Sequence, residues 1–247
     1  MNCWLAERLP NYSEEKRAEW IDLLRHADAI TVWSQNQVEL LSNLGVKREL
    51  IHPVTFGVNP WLRNTEANAA RDIEVLAVGM DSGRDYRTLF EAVAGQPWRV
   101  KLACKPVNLV NLAVPDNVEV LGLIPREQYR DLLQRAKVVV VPTHDFAYPT
   151  GQSVALEGAM AGAAIVVSNT QPMREYFTDG ITALMPEVHS VAGVRLAITR
   201  LLGDESLRQE LAARGAVNTA IKYTNRRMWQ EVAHILDHIA GSNQHAK

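Results

Sequence analysis

The chain has 247 residues, enough to bury a sizeable core, with 47% hydrophobic and 22% charged residues and a formal net charge of -2. Lys and Arg (26) do not outnumber Asp and Glu (28), so a general affinity for nucleic acid is excluded and any anion site must be local. Cys3 and Cys104 stand far apart without a CxxC pair, against a disulfide framework or zinc site, and no run approaches the roughly 18 apolar residues of a membrane span or forms a signal-peptide core.

The first helix is predicted over Ser13–Ala27, where Trp20, Leu23, Leu24 and Ala27 form a stripe behind Ser13 and early acids. "AITVW" reads as a short strand, "SQNQVELLSNLG" as a helix stopped by Gly45, and "LIHPVTF" as a second strand. Gly57–Asp72 is polar, carries Pro60 and lacks a period, so it reads as a linker. From Ile73 the alternation becomes regular. "IEVLAVG", "WRVKLAC", "VEVLG", "KVVVVP", "AAIVVS" and "ITALM" are predicted strands, with amphipathic helices such as "DYRTLFEAVAG" and "REQYRDLLQRA" between them. Continuous apolar strands joined by helical crossovers predict a doubly wound parallel α/β sheet, Rossmann-like, preceded by a partial α/β segment. Helices over Ser190–Gly203, Glu205–Ala216 and Thr224–Gly241 are expected to close the chain before a frayed "SNQHAK" tail.

The chemistry gathers at predicted strand ends. After "IEVLAVG", Gly79 and Gly83 permit a tight turn and Arg84 opens the next helix; Lys105 directly follows "WRVKLAC". In "YPTGQSVALEGAMAG", small polar residues precede a helix, an arrangement that leaves backbone N–H groups free to bind an anion. Glu157 is not explained by a capping box, because neither Thr150 nor Ser153 has an acid or amide three residues on. Four residues beyond Ser153, its carboxylate is spaced to accept both hydroxyls of a ribose.

Three other patterns compete with this one. "GQSVA", followed by Asp179 and His189, resembles a nucleophile elbow, but Pro142–Thr150 separates Ser153 from its strand and no His-Gly oxyanion motif occurs. "HILDH" sets His234 and His238 four apart on a helix, yet Ile235 stands where a metalloprotease has its glutamate. No Asp-x-Asp pair occurs, so nothing in the sequence requires a metal.

Five blocks then carry a family resemblance: "ADAITVWSQNQVELLSNLGV", "LIHPVTFGVNP", "GRDYRTLFEAV", "NVEVLGLIPREQYRDLLQRAKVVVVPT" and "GQSVALEGAMAGAAIVVSNTQPMREYFTDGITALM". Together they resemble the donor-binding half of retaining glycosyltransferases of the GT-B fold, group 1 family. The resemblance implies an acceptor-domain remnant and linker start over 1–60, a nucleotide-sugar donor domain over 61–224, and a crossover helix with its tail over 225–247. It implies hexosyl transfer from a UDP- or GDP-linked sugar with retained configuration and no metal or other cofactor. It assigns Gly79, Arg84, Lys105, Gly151, Gln152, Ser153 and Val154 to the diphosphate, Leu123 and Ile124 to the base, and Glu157 to the ribose. Pro149 and Met80 depart from the family's first glutamate and its arginine, which leaves His144, Asp145 and Thr150 as further sugar contacts. Only about sixty residues precede the donor domain. The chain therefore reads as shortened, as a fragment, or as a half whose acceptor domain a partner subunit supplies, and the acceptor, whether glycan, lipid or protein, stays open. The alternative is a non-catalytic nucleotide-sugar-binding or subunit-pairing module. The implied location is the cytoplasm, or the periphery of a membrane.

Overall fold

The structure is a computed structural model describing residues 5–60 and 71–244, with side chains to residue 241. The N-terminal part contains α1 (Leu5–Arg8), α2 (Glu14–Arg25), β1 (Ile30–Val32), α3 (Asn36–Asn43) and β2 (Ile51–Pro53). At the start of α2 the Ser13 hydroxyl accepts the Lys16 amide, while Glu14 and Glu15 face the positive end of the helix dipole. β1 and β2 pair in parallel with Ile30 opposite Ile51, and Leu5, Leu9, Leu24, Val32 and Leu41 close a small separate core. Most of the predicted linker, residues 61–70, lies outside the described residues, as do Cys3 and the last three residues.

Beyond it the chain runs β3 (Ile73–Val78), α4 (Tyr86–Val93), β4 (Val100–Ala103), β5 (Val118–Val120), α5 (Arg126–Arg135), β6 (Ala136–Val141), α6 (Gln152–Met160), β7 (Ala164–Val167), α7 (Val191–Gly203), α8 (Glu205–Lys222) and α9 (Asn225–Gln244). All neighbouring strands of the main sheet are parallel, in the order β5-β4-β3-β6-β7. This is the doubly wound α/β fold expected from the sequence. β6 explains the unbroken valine run. Val138 and Val140 join the core with α4 and α7, while Val139 and Val141 join the opposite core with α5 and α6.

Two expectations change. "ITALM" is not a strand: it meets the sheet only at a bridge from Val166 to Leu184. The turn before it uses the same backbone groups, since Thr182 N–H donates to the Thr178 carbonyl and Gly180 N–H to that of Ala183. The helix predicted to end at Ala216 continues to Lys222, because Leu211, Gly215 and Thr219 repeat at four-residue spacing on its buried face. A Cβ on Gly215 would stand 3.0 Å from the Thr182 carbonyl oxygen, so the missing side chain lets α8 approach.

α9 returns to the N-terminal part, where Glu231 accepts the Thr55 amide at 2.8 Å and Val58 bridges to Thr224. Trp229 stays 58% exposed on this helix. No helix among the described residues is long and apolar enough to cross a membrane. Strand order reverses between β3, from which the chain moves outward through β4 and β5, and β6, from which it moves outward through β7. Ligands of such sheets bind beyond the carboxyl ends of the strands at that reversal.

Candidate functional site

Two loops meet at the reversal, and one side chain joins them. Arg84 leaves the loop after β3 and lies back across it, with its side chain only 3% exposed. Its Nε donates to the Val78 carbonyl at 3.3 Å and its Nη2 pairs with Asp81 at 3.3 Å. Two glycines make the space. A Cβ on Gly79 would sit 1.9 Å from Arg84 Nε, and one on Gly151 would sit 2.6 Å from Nη1. Gly151 also has φ of 84°, a left-handed conformation that other residues adopt only at a cost. Asp81 braces the assembly, accepting the Gly83 amide at 2.9 Å and the Thr150 hydroxyl at 3.0 Å. Arg84 Nη1 is buried without a hydrogen-bond partner. A buried guanidinium donor left unpaired costs roughly 1–3 kcal/mol or more, so it favours an anion that can reach it.

Gly151 caps α6, and no side chain covers the first turn. The first ladder bond is from the Ala155 amide to the Gly151 carbonyl, and the Gln152 amide turns back to the Pro149 carbonyl. The amides of Ser153 and Val154 have no acceptor among the described residues. Both residues line a cleft of about 670 Å³ together with Arg84, Lys105, Arg126 and Tyr129. The lining holds three cationic side chains against the single carboxylate of Asp81, so it attracts negative charge. Lys105 reaches it from the end of β4 as an exposed side chain.

Glu157 stands one turn further along α6 and meets the cleft through Tyr129, whose hydroxyl donates to Glu157 Oε2 at 2.5 Å. Burial raises the Glu157 carboxyl above its ordinary value, against the Tyr129 hydrogen bond and the charge of Arg126, which lower it. Burial, then the neighbouring carboxylate, push the Tyr129 phenol well up, so it stays a donor. An unpartnered guanidinium nitrogen and free helix amides thus face one groove, and a carboxylate that accepts a hydroxyl donor stands behind Tyr129.

A family model described as "Glycosyl transferases group 1" matches residues 92–217, just over half of the chain. The chain belongs to the group 1 glycosyltransferases. A lipopolysaccharide core biosynthesis glycosyltransferase of Rhizobium meliloti is 27% identical over 234 residues, covering 85% of this chain and 66% of that protein. A D-inositol 3-phosphate glycosyltransferase of Streptosporangium roseum is 26% identical over 113 residues, covering 46% of this chain and 25% of its own length. This chain therefore spans less than the full length of both relatives. Among solved structures, Anabaena Alr3699/HepE in complex with UDP and glucose superposes with a TM-score of 0.80 at 14% identity, over 94% of this chain and 70% of that one. That likeness concerns the fold.

Within this chain the expected site residues divide. Gly79, Arg84, Lys105, Ile124, Ser153 and Val154 line the one cleft. Gly151 lies beneath Arg84, Gln152 is buried with its amide engaged, and Glu157 stands behind Tyr129. Leu123 is 64% exposed and outside the lining. Of the further sugar contacts, Thr150 is buried against Asp81, His144 lines a second cavity, and Asp145 is exposed and lines neither. Asp81, Arg126 and Tyr129 were not singled out from the sequence. Arg126 and Tyr129 are three apart at the start of α5, immediately after the loop of Leu123 and Ile124, and that spacing was the available signal.

Proposed function

We propose that the cleft holds the diphosphate of a nucleotide sugar and that the chain takes part in transfer of its hexosyl group with retained configuration and without a metal. The observation carrying this reading is the unpartnered Nη1 of Arg84 beside the uncapped start of α6. A helix N-terminus contributes about 0.3–2 kcal/mol to an anion, and each charge-assisted hydrogen bond about 1.5–3 kcal/mol. As the glycosidic bond breaks, negative charge gathers on the departing diphosphate, so donors fixed beforehand stabilise the transition state more than the bound donor. Tyr129 and Glu157 then take the ribose, with Ile124 against the base. UDP leads GDP because Alr3699/HepE superposes as a UDP complex.

A binding or subunit-pairing module without turnover is the second reading. It is favoured by Pro149, which is buried and offers no carboxylate for the sugar. The location proposed is the cytoplasm or the face of a membrane. Calorimetric titration with UDP, GDP and their hexoses tests the site, and release or transfer of labelled hexose separates enzyme from module. Binding with turnover supports the first reading, binding alone the second, and no heat with any donor overturns the nucleotide site on which the first reading rests.

A further inference from the structure

A second cavity, of about 570 Å³, shares only Arg84 with the lining of the first. Three groups from distant parts of the chain meet in it: Asp85 at the N-cap of α4, His144 in the loop after β6, and His189 just before α7. One ligand atom from each lies within 4.8 Å of the others. The imidazole centroids are 5.2 Å apart, and His189 Nδ1 is 2.7 Å from Asp85 Oδ2. We infer that Asp85, His144 and His189 form a binding site for a zinc-type transition-metal ion, separate from the donor cleft.

The fixed member is the carboxylate. Asp85 is buried and anchored by the Thr88 amide at 3.1 Å and the Thr88 hydroxyl at 2.5 Å. The less buried members are the imidazoles: the His189 side chain is 57% exposed and His144 is half-buried. Metal bonds of about 2.0–2.2 Å place tetrahedral ligands roughly 3–3.5 Å apart, so small ring rotations close the set. His189 has φ of 62°, one of two non-glycine residues with positive φ among the described residues. With that uncommon backbone its imidazole lies against Asp85.

Two imidazoles and one carboxylate suit zinc and similar ions, whereas magnesium and calcium prefer oxygen ligands throughout. The ion would keep an open position toward the cavity, for water or a small anion. Bound there it would tie the start of α4 and the turn before α7 to the chain leading to the mouth of α6. The inference needs no nucleotide and stands apart from the reading of the donor cleft.

The test titrates zinc chloride into the chelator-treated full chain by calorimetry, with cobalt absorption as the spectroscopic check and magnesium as the comparison. The account expects one equivalent bound in the micromolar range, a raised melting temperature and a tetrahedral cobalt spectrum. His144→Gln and His189→Asn should each weaken zinc at least tenfold; asparagine tolerates the left-handed backbone, and metal-free melting checks that both variants fold. A double His234→Gln, His238→Gln variant of α9 should bind zinc as the parent does. Zinc binding no tighter than magnesium, binding that survives both site variants, or binding lost only in the α9 variant would each overturn the inference.

Discussion

Arg84 and Lys105 enter the same cleft from the ends of adjacent strands, yet the chain treats the two cations in opposite ways. Arg84 is buried, held by the Val78 carbonyl and Asp81, and housed against two glycines. Lys105 is an exposed side chain at the rim of the cleft. A buried charge must be paired and hydrogen-bonded, which fixes its direction and makes its neighbours intolerant of change. An exposed one has lower positional demand, is screened by salt, and is cheap to alter. On the proposed reading, positioning at the diphosphate falls to Arg84, and attraction to Lys105.

Arg84→Met should separate them most sharply. It removes the one charge-assisted bond that Nη1 is free to make, about 1.5–3 kcal/mol, and UDP affinity by calorimetry should fall roughly 10- to 100-fold. Gly151→Ala comes next: a left-handed alanine costs about 1–2 kcal/mol, and its Cβ would press on Arg84 Nη1. Both the melting temperature and UDP affinity should drop, the second by displacement of Arg84. Lys105→Ala should leave stability within about 0.5 kcal/mol and weaken UDP less than tenfold, with the difference from the parent shrinking as salt is raised. Equal losses for Arg84→Met and Lys105→Ala would remove the distinction.

The smallest effect concerns stability against pH. Burial raises the Glu157 carboxyl above 4.5, its ordinary value. Between that value and the raised one the folded chain holds a proton that the unfolded chain has lost, so stability is full below 4.5 and falls as pH rises through the folded value. Glu157→Gln should flatten that slope and melt higher than the parent at neutral pH, while binding UDP more weakly. A lower melting temperature at neutral pH would place the carboxylate's role in the fold rather than in the site.

The sheet was legible because burial on both faces leaves a direct trace: the β6 valines could not alternate with polar residues when each side meets a core. "ITALM" misled because an apolar β-branched run carries no mark of backbone groups already spent in the preceding turn. The uncapped α6 was legible through Gly151 and the small residues around it, since local chain chemistry decides a helix start. Tyr129 was not, because its value lies in the reach of a hydroxyl across from α5 to α6. Nor was the burial of Arg84, which depends on two glycines contributed by loops that meet only when β3 and β6 pair.

The most direct measurement is the affinity difference between UDP and UMP, taken by calorimetry on the parent chain and on Arg84→Met. The account predicts that the parent binds UDP at least tenfold more tightly than UMP and that most of this difference disappears in Arg84→Met. Equal affinity of the parent for UDP and UMP, or a difference that persists in full without Arg84, would contradict the diphosphate cradle.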